Sequence, residues 1–217
     1  TEYMRQSLKV WAELGFSFDV VSTGMILSAE QAALVSDFCE QSAKKGALVF
    51  VDPIMGDEGK LYNGVGEETI AHMRKMVAVA DCIVPNYTEA AYLADMPYHE
   101  DMTEEEARAL TIRLHEMGAK SVVVTSAKVD GENCVVGYDG TEGEFFRIPF
   151  DLIPVRFVGT GDIFAAVMLG RLVDGVPLQE STHRAMDAVR TMIDRNRDKE
   201  DKYLGIPIET CLEVLDE

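Results

Sequence analysis

The sequence predicts an α/β protein: a three-layer, mostly parallel central sheet with helices on both faces and an antiparallel hairpin at one edge. Three observations carry this. Short apolar runs such as 47–51, 81–84 and 121–124 are unbroken rather than alternating, the mark of strands buried on both faces. Between them lie stretches with helical spacing of apolar residues, several opened by a capping sequence or closed by glycine. Strand and helix then alternate along the chain, as parallel strands joined by crossover helices do.

Taken in order, residues 2–14 read as an amphipathic helix with Tyr3, Leu8, Trp11 and Leu14 near one side. A short strand at 18–22 ends at Thr23-Gly24. Ser28 and Gln31 have capping-box spacing. They open a helix whose apolar side is Leu34, Val35, Phe38 and Cys39, and Lys44-Lys45-Gly46 closes it. Strand 47–51 runs into Asp52-Pro53-Ile54-Met55-Gly56-Asp57, where the proline biases Asp52 to extended backbone. A loop through Tyr62-Asn63-Gly64 leads to a helix at 67–79. Strand 81–84 ends at Pro85-Asn86-Tyr87-Thr88-Glu89 and a short helix to Ala94. Thr103 and Glu106 form a second capping box, for a helix with Ala107, Leu110, Leu114 and Met117 on one side and Gly118 at its end. Strand 121–124 ends at Thr125-Ser126. The alternating segments 133–138 and 144–150, separated by Asp139-Gly140, make the edge hairpin. The apolar stretch 163–173 is long enough for a buried helix. Helices at 178–195 and 209–215 close the chain, with an exposed charged segment at 196–202 between them.

The 217 residues suffice for one sizeable core, so a single domain over 1–217 is expected. No apolar run approaches the ~20 residues of a membrane span. The opening Thr1-Glu2-Tyr3 runs into a helical pattern rather than a leader. Lys plus Arg number 20 against 38 Asp plus Glu, a formal charge of −18. Such a surface repels nucleic acid and anionic membrane, so neither is an expected partner. It also repels a nucleotide, so a phosphate site must be a local pocket of backbone amides and metal. Cys39, Cys82, Cys134 and Cys211 form no C-x-x-C pair and read as free, buried thiols of a reducing, cytoplasmic compartment. His72, His99, His115 and His183 lack metal-ligand spacing and read as surface or structural.

Small, hydroxylic and acidic residues recur where the strands end: Thr23-Gly24; Asp52 and Asp57; Asn86 and Glu89; Thr125-Ser126; then Gly159-Thr160-Gly161-Asp162. In sheets of this class ligands bind beyond the carboxyl ends of the strands. Each residue has a bland reading too. Asp-Pro and Pro-Asn are turn formers, and Asp162 can be a helix-start acid. Together they suit phosphoryl transfer, which asks for amides around developing charge, a metal on the phosphates and a base for the attacking group. Asp57 and Glu89 offer hard oxygen for Mg²⁺. Thr125 and Ser126 can donate to phosphate, and Gly159, Thr160 and Gly161 can offer amides. Asp162 can deprotonate a hydroxyl. There is no P-loop, no dinucleotide glycine motif and no G-x-S-x-G elbow.

The segments 51–57 with Gly59-Lys60-Leu61-Tyr62, Pro85-Asn86-Tyr87-Thr88-Glu89-Ala90, Thr125-Ser126 and 157–166 occur in order. With them the chain resembles the ribokinase-like small-molecule kinases, most closely the pyridoxal (vitamin B6) kinases, over nearly its whole length. The resemblance implies that ATP with Mg²⁺ phosphorylates the 5′-hydroxymethyl group of pyridoxal, pyridoxine or pyridoxamine; the need for a monovalent cation such as K⁺ stays open. It implies Asp162 as the base and Gly159, Thr160 and Gly161 as the anion hole. Asp52 and Asp57 become the acidic pair near phosphates and metal, and Asn86 and Glu89 the outer metal-water shell. Thr125 is similar to the family's phosphate contact. Phe157 and Val158 fall where the family lines its nucleotide and substrate pockets. A homodimer is implied as well. Two departures stand out: Met25 replaces the aromatic residue many members place beside the ring, and the family's additional amino-terminal segment, with a first strand, is expected to be missing. The alternatives are a hydroxymethylpyrimidine kinase or another small-molecule kinase of the same fold, and a non-catalytic nucleotide- or vitamer-binding relative. Asp162 stands where the pyrimidine branch usually has cysteine.

Overall fold

The unbroken apolar runs become the centre of a six-stranded sheet in the computed structural model, which describes residues 1–216. The strands are β1 (Val20–Thr23), β2 (Leu48–Val51), β5 (Cys82–Ile83), β6 (Ser121–Val129), β7 (Glu132–Asp139) and β8 (Glu144–Pro149), and they lie side by side in that order. The first four are parallel; β6, β7 and β8 are antiparallel. A separate two-stranded ribbon pairs β3 (Gly56–Asp57) with β4 (Lys60–Leu61). Val49, Phe50 and Val51 are all fully buried although successive side chains point to opposite faces. Both faces at the sheet's centre are therefore out of water, as a run without alternation predicts.

The chain divides into two compact units, Thr1–Pro149 and Phe150–Glu217. The first holds the strands with α1 (Glu2–Glu13), α2 (Ala29–Ala43), α3 (Glu68–Val77), α4 (Tyr87–Ala94) and α5 (Glu104–Glu116). Its core joins Val49, Val51, Ile83, Val122 and Val124 of the sheet to Ala32, Val35 and Cys39 of α2 and to Leu110 and Leu114 of α5. The second holds α6 (Thr160–Val173), α7 (Leu178–Asn196) and 3-10 turns at Ile208–Thr210 and Leu212–Asp216. Its core is Phe157, Ile163, Ala188, Met192, Ile206, Cys211 and Val214. All four cysteines are free and buried.

The capping signals place the helices well. Thr103 Oγ1 accepts the Glu106 N–H at 3.2 Å while the Glu106 carboxylate accepts the Thr103 N–H at 2.8 Å. Ser28 Oγ accepts the Gln31 N–H, but Gln31 Oε1 takes the N–H of Leu27 instead of Ser28, so this box is half formed. Elsewhere the structure departs from the sequence reading. The stripe on α1 does not face the core: Tyr3 is 82% and Leu14 66% exposed, and the helix touches the core through Met4, one position along. Trp11 and Phe18 meet instead in an aromatic cluster with Phe38, ring centroids 5.4–6.3 Å apart, so β1 begins only at Val20. β6 does not stop at Val124. It passes an irregularity between Val124 and Ala127, with Ser126 at φ +56°, and runs on to Val129 because β7 keeps pairing with it. The helix expected at 209–215 is the pair of 3-10 turns. The ribbon β3–β4, two residues per strand, is too short to show a period.

Candidate active site

Within the first unit the hydrogen bonds that close each strand line up the predicted positions. The Asp52 N–H donates to Thr23 O, Val84 N–H to Val51 O, and Thr125 N–H to Pro85 O, each at 3.0 Å. Asn86 and Thr125 form an isolated parallel bridge. Thr23, Asp52, Asn86 and Thr125 thus stand in one row at the carboxyl ends of β1, β2, β5 and β6. Ser126 follows at the bulge, with left-handed backbone of the kind that clusters at functional sites. Met25, 44% exposed, lies two residues beyond Thr23.

Asn86 and Glu89 do more than the sequence reading assigned. They form a full capping box on α4: Asn86 Oδ1 accepts the Glu89 N–H at 3.0 Å, and Glu89 Oε2 accepts the Asn86 N–H at 2.9 Å. The Asn86 amide also donates to Gly56 O at 2.7 Å. Glu89 Oε1 accepts the N–H of Met55 at 3.0 Å and of Gly56 at 3.4 Å. Two side chains therefore tie the start of α4 to the 52–57 turn that carries both predicted aspartates. Thr88, which the sequence reading passed over, adds a third tie by accepting the Gly59 N–H at 2.8 Å. The signal was there: Asn-x-x-Glu before an apolar run is a capping box. Gly56 has no alternative, because a Cβ there would lie 2.4 Å from Lys60 O.

Glu89 is 3% exposed. Burial pushes its carboxyl up to about 7, and the charge of Asp52 adds to the rise, while the three N–H donors oppose it. Asp57 Oδ1 accepts the Glu58 N–H at 2.9 Å. No group of three or more His, Cys, Asp or Glu side chains among the described residues converges as a metal cage. A Mg²⁺ ion needs none. It keeps several waters and binds through one or two carboxylates and the substrate's phosphates, and Asp52, Asp57 and Glu89 offer that hard oxygen.

The second unit holds the other half of the predicted residues. Gly159 precedes α6 with φ +84°, a left-handed conformation suited to glycine. The first intrahelical bond runs from the Ile163 N–H to Gly159 O. The N–H groups of Thr160, Gly161 and Asp162 thus have no helical acceptor, and no side-chain cap bond is made there among the described residues. A Cβ on Gly161 would meet nothing within 4 Å, so the space beside these amides is open. Asp162 is exposed in the first turn. This is a helix start of fourteen residues' length with free amides and a carboxylate beside them, a fit for phosphate and for a proton acceptor. Val158 is 60% exposed, available to a ligand; Phe157 is 4% exposed and belongs to the core.

Residues 2–205 match the phosphomethylpyrimidine kinase family. The chain belongs to that family. It is 32% identical over 171 residues to the pyridoxal kinase of Arabidopsis thaliana, an alignment covering 75% of this chain and 53% of that one. The chain spans about half the length of the curated relatives it matches. Among solved structures, a Bacteroides thetaiotaomicron protein assigned to the phosphomethylpyrimidine kinases, crystallised with pyridoxal, is 32% identical with a TM-score of 0.93, over 100% of this chain and 77% of that one. The pyridoxal kinase of Lactobacillus plantarum is 27% identical with a TM-score of 0.85, over 99% and 77%. The expected ribokinase-like fold is thereby settled.

Proposed function

We propose that the chain carries out ATP-dependent phosphorylation of the 5′-hydroxymethyl group of a B6 vitamer. The observation that carries this is the start of α6: Gly159 turned to φ +84°, three amides without a helical acceptor, and Asp162 exposed beside them. Asp162 takes the proton of the vitamer hydroxyl. The amides of Thr160 and Gly161, with the positive end of the helix dipole, stabilise charge on the transferred phosphoryl group. Thr125 and Ser126 donate to phosphate oxygens of ATP. Asp52 and Asp57 face the metal-bound phosphates, and Glu89 and Asn86 hold the turn that presents them. Mg²⁺, when bound, neutralises phosphate charge. Val158 and Met25 border the vitamer.

Support comes from the pyridoxal kinase relatives and from the pyridoxal in the Bacteroides structure. The single kinase domain over 1–217, a homodimer and a cytoplasmic setting belong to the same reading, on the strength of the resemblance alone. The charge of −18 accords with partners other than nucleic acid or an anionic bilayer; no described helix is long and apolar enough to cross a membrane. Asp162→Asn tests the assignment. Turnover should fall by about 10²–10⁴-fold, the usual worth of a general base, while ATP affinity by equilibrium dialysis stays within a few-fold. Undiminished turnover would remove Asp162 from the chemistry.

A further inference from the structure

The ribbon that carries Asp57 is too small to hold its own shape. β3 and β4 pair over two residues each, Gly56 with Leu61 and Asp57 with Lys60. Even a full two-stranded hairpin is marginal in water. Both central residues of its turn have positive φ, Glu58 at +51° and Gly59 at +78°. That geometry suits a two-residue hairpin but is unfavourable for a glutamate. The turn is held by what surrounds it.

α4 and the segment after it grip the turn at Gly59. Thr88, 3% exposed, accepts the Gly59 N–H on its Oγ1 at 2.8 Å. The Tyr92 hydroxyl donates to Gly59 O at 3.4 Å. A Cβ on Gly59 would lie 3.1 Å from Cδ1 and Cε1 of Tyr98, so that ring rests on the bare α-carbon. Tyr98 is itself fixed from α4. Its ring stacks on buried Tyr87 with centroids 4.8 Å apart, and the Tyr87 hydroxyl accepts the N–H of the next residue, His99, at 3.0 Å. The grip reaches the carboxylate in one step, because Asp57 Oδ1 accepts the Glu58 N–H at 2.9 Å. A shift of the Glu58–Gly59 turn therefore carries the Asp57 side chain with it.

We propose that Thr88 and Tyr98 are positioning residues for Asp57: they lock the turn so that the carboxylate keeps one orientation toward the metal-bound phosphates. What Asp57 meets rests on the phosphoryl-transfer reading above; what holds Asp57 rests on this geometry.

The test measures Mn²⁺ bound by the intact chain in the presence of ADP, from the loss of the free-ion electron paramagnetic resonance signal. Thr88→Val and Tyr98→Ala should each weaken Mn²⁺ binding about tenfold, the lower end of what groups behind a metal ligand contribute. Thr88→Ser, which keeps the acceptor, and Tyr98→Phe, which keeps the ring, should restore the parent affinity. In an Asp57→Asn background Thr88→Val should weaken binding no further, since both act through one carboxylate. A residue that only stabilised the fold would lower the urea midpoint and leave these affinities in place. Parent-like affinity in either Thr88→Val or Tyr98→Ala, a full additional loss in the Asp57→Asn background, or no ADP-dependent Mn²⁺ binding by the parent would overturn the proposal. The expected Mn²⁺ pattern without vitamer-dependent ATP consumption would sink the kinase reading and leave Thr88 and Tyr98 in their role. Vitamer-dependent consumption with parent-like Mn²⁺ binding in the variants would do the reverse.

Discussion

Glu89 shows how burial acts on a carboxylate that ties two segments of the fold together. Its carboxyl is held above its ordinary 4.5, at about 7, so the folded chain binds that proton more tightly than the unfolded chain does. The resulting stabilisation is fully present below about pH 4.5 and is lost as pH rises to about 7. Glu89→Gln removes this dependence. In metal-free buffer the stability of the parent minus that of the variant, from urea unfolding, should fall across that window; a flat difference would contradict the burial argument. Gly159 and Gly161 make a second residue-scale contrast. Gly159→Ala meets no clash, only Asp162 Oδ2 at 3.7 Å, yet its left-handed φ should cost about 1–2 kcal/mol. Gly161→Ala sits in a helix with open space around it and should stabilise by roughly 0.5–1 kcal/mol. If the amides hold a phosphoryl group, Gly161→Ala should nonetheless slow turnover, because the new methyl occupies the approach. A gain in stability with unchanged turnover would move the phosphate elsewhere.

Most elements were legible where local rules and tertiary packing agree. The capping box at Thr103 and Glu106, the glycine stop at Gly118 and the apolar runs at Val49 and Val122 each mean in the fold what they mean in the sequence. The α1 stripe misled because periodicity reports an apolar face and not what covers it. The end of β6 misled because Thr125-Ser126 is turn chemistry, yet β7 bridges the bulge with ladder bonds on both sides. The strand-end row was readable from the parallel pattern; the doubled role of Asn86 and Glu89 was not, since their bonds to Met55 and Gly56 join residues about thirty apart. At this scale the β7–β8 hairpin depends on Gly137: a Cβ there would lie 2.2 Å from the Phe146 ring. Gly137→Ala should cost about 1–3 kcal/mol by overpacking, read as a lower urea midpoint. An unchanged midpoint would mean Phe146 can swing away freely.

For the molecule as a whole, acidity sets the terms on which anions bind. Under the proposed function, a chain at −18 recruits ATP only where amides and metal act locally, the role proposed for the α6 start and the 52–57 turn. Family membership and fold agree with that chemistry, while the aligned residues cover only about half the length of the curated relatives, so activity must be measured on these 217 residues themselves. The most direct measurement is ATP consumption by this chain with pyridoxal, pyridoxine, pyridoxamine and hydroxymethylpyrimidine, with Asp162→Asn as the blank. Consumption that depends on a B6 vitamer and disappears in the blank is the predicted result. ATP that binds but is not consumed with any vitamer would contradict the kinase assignment.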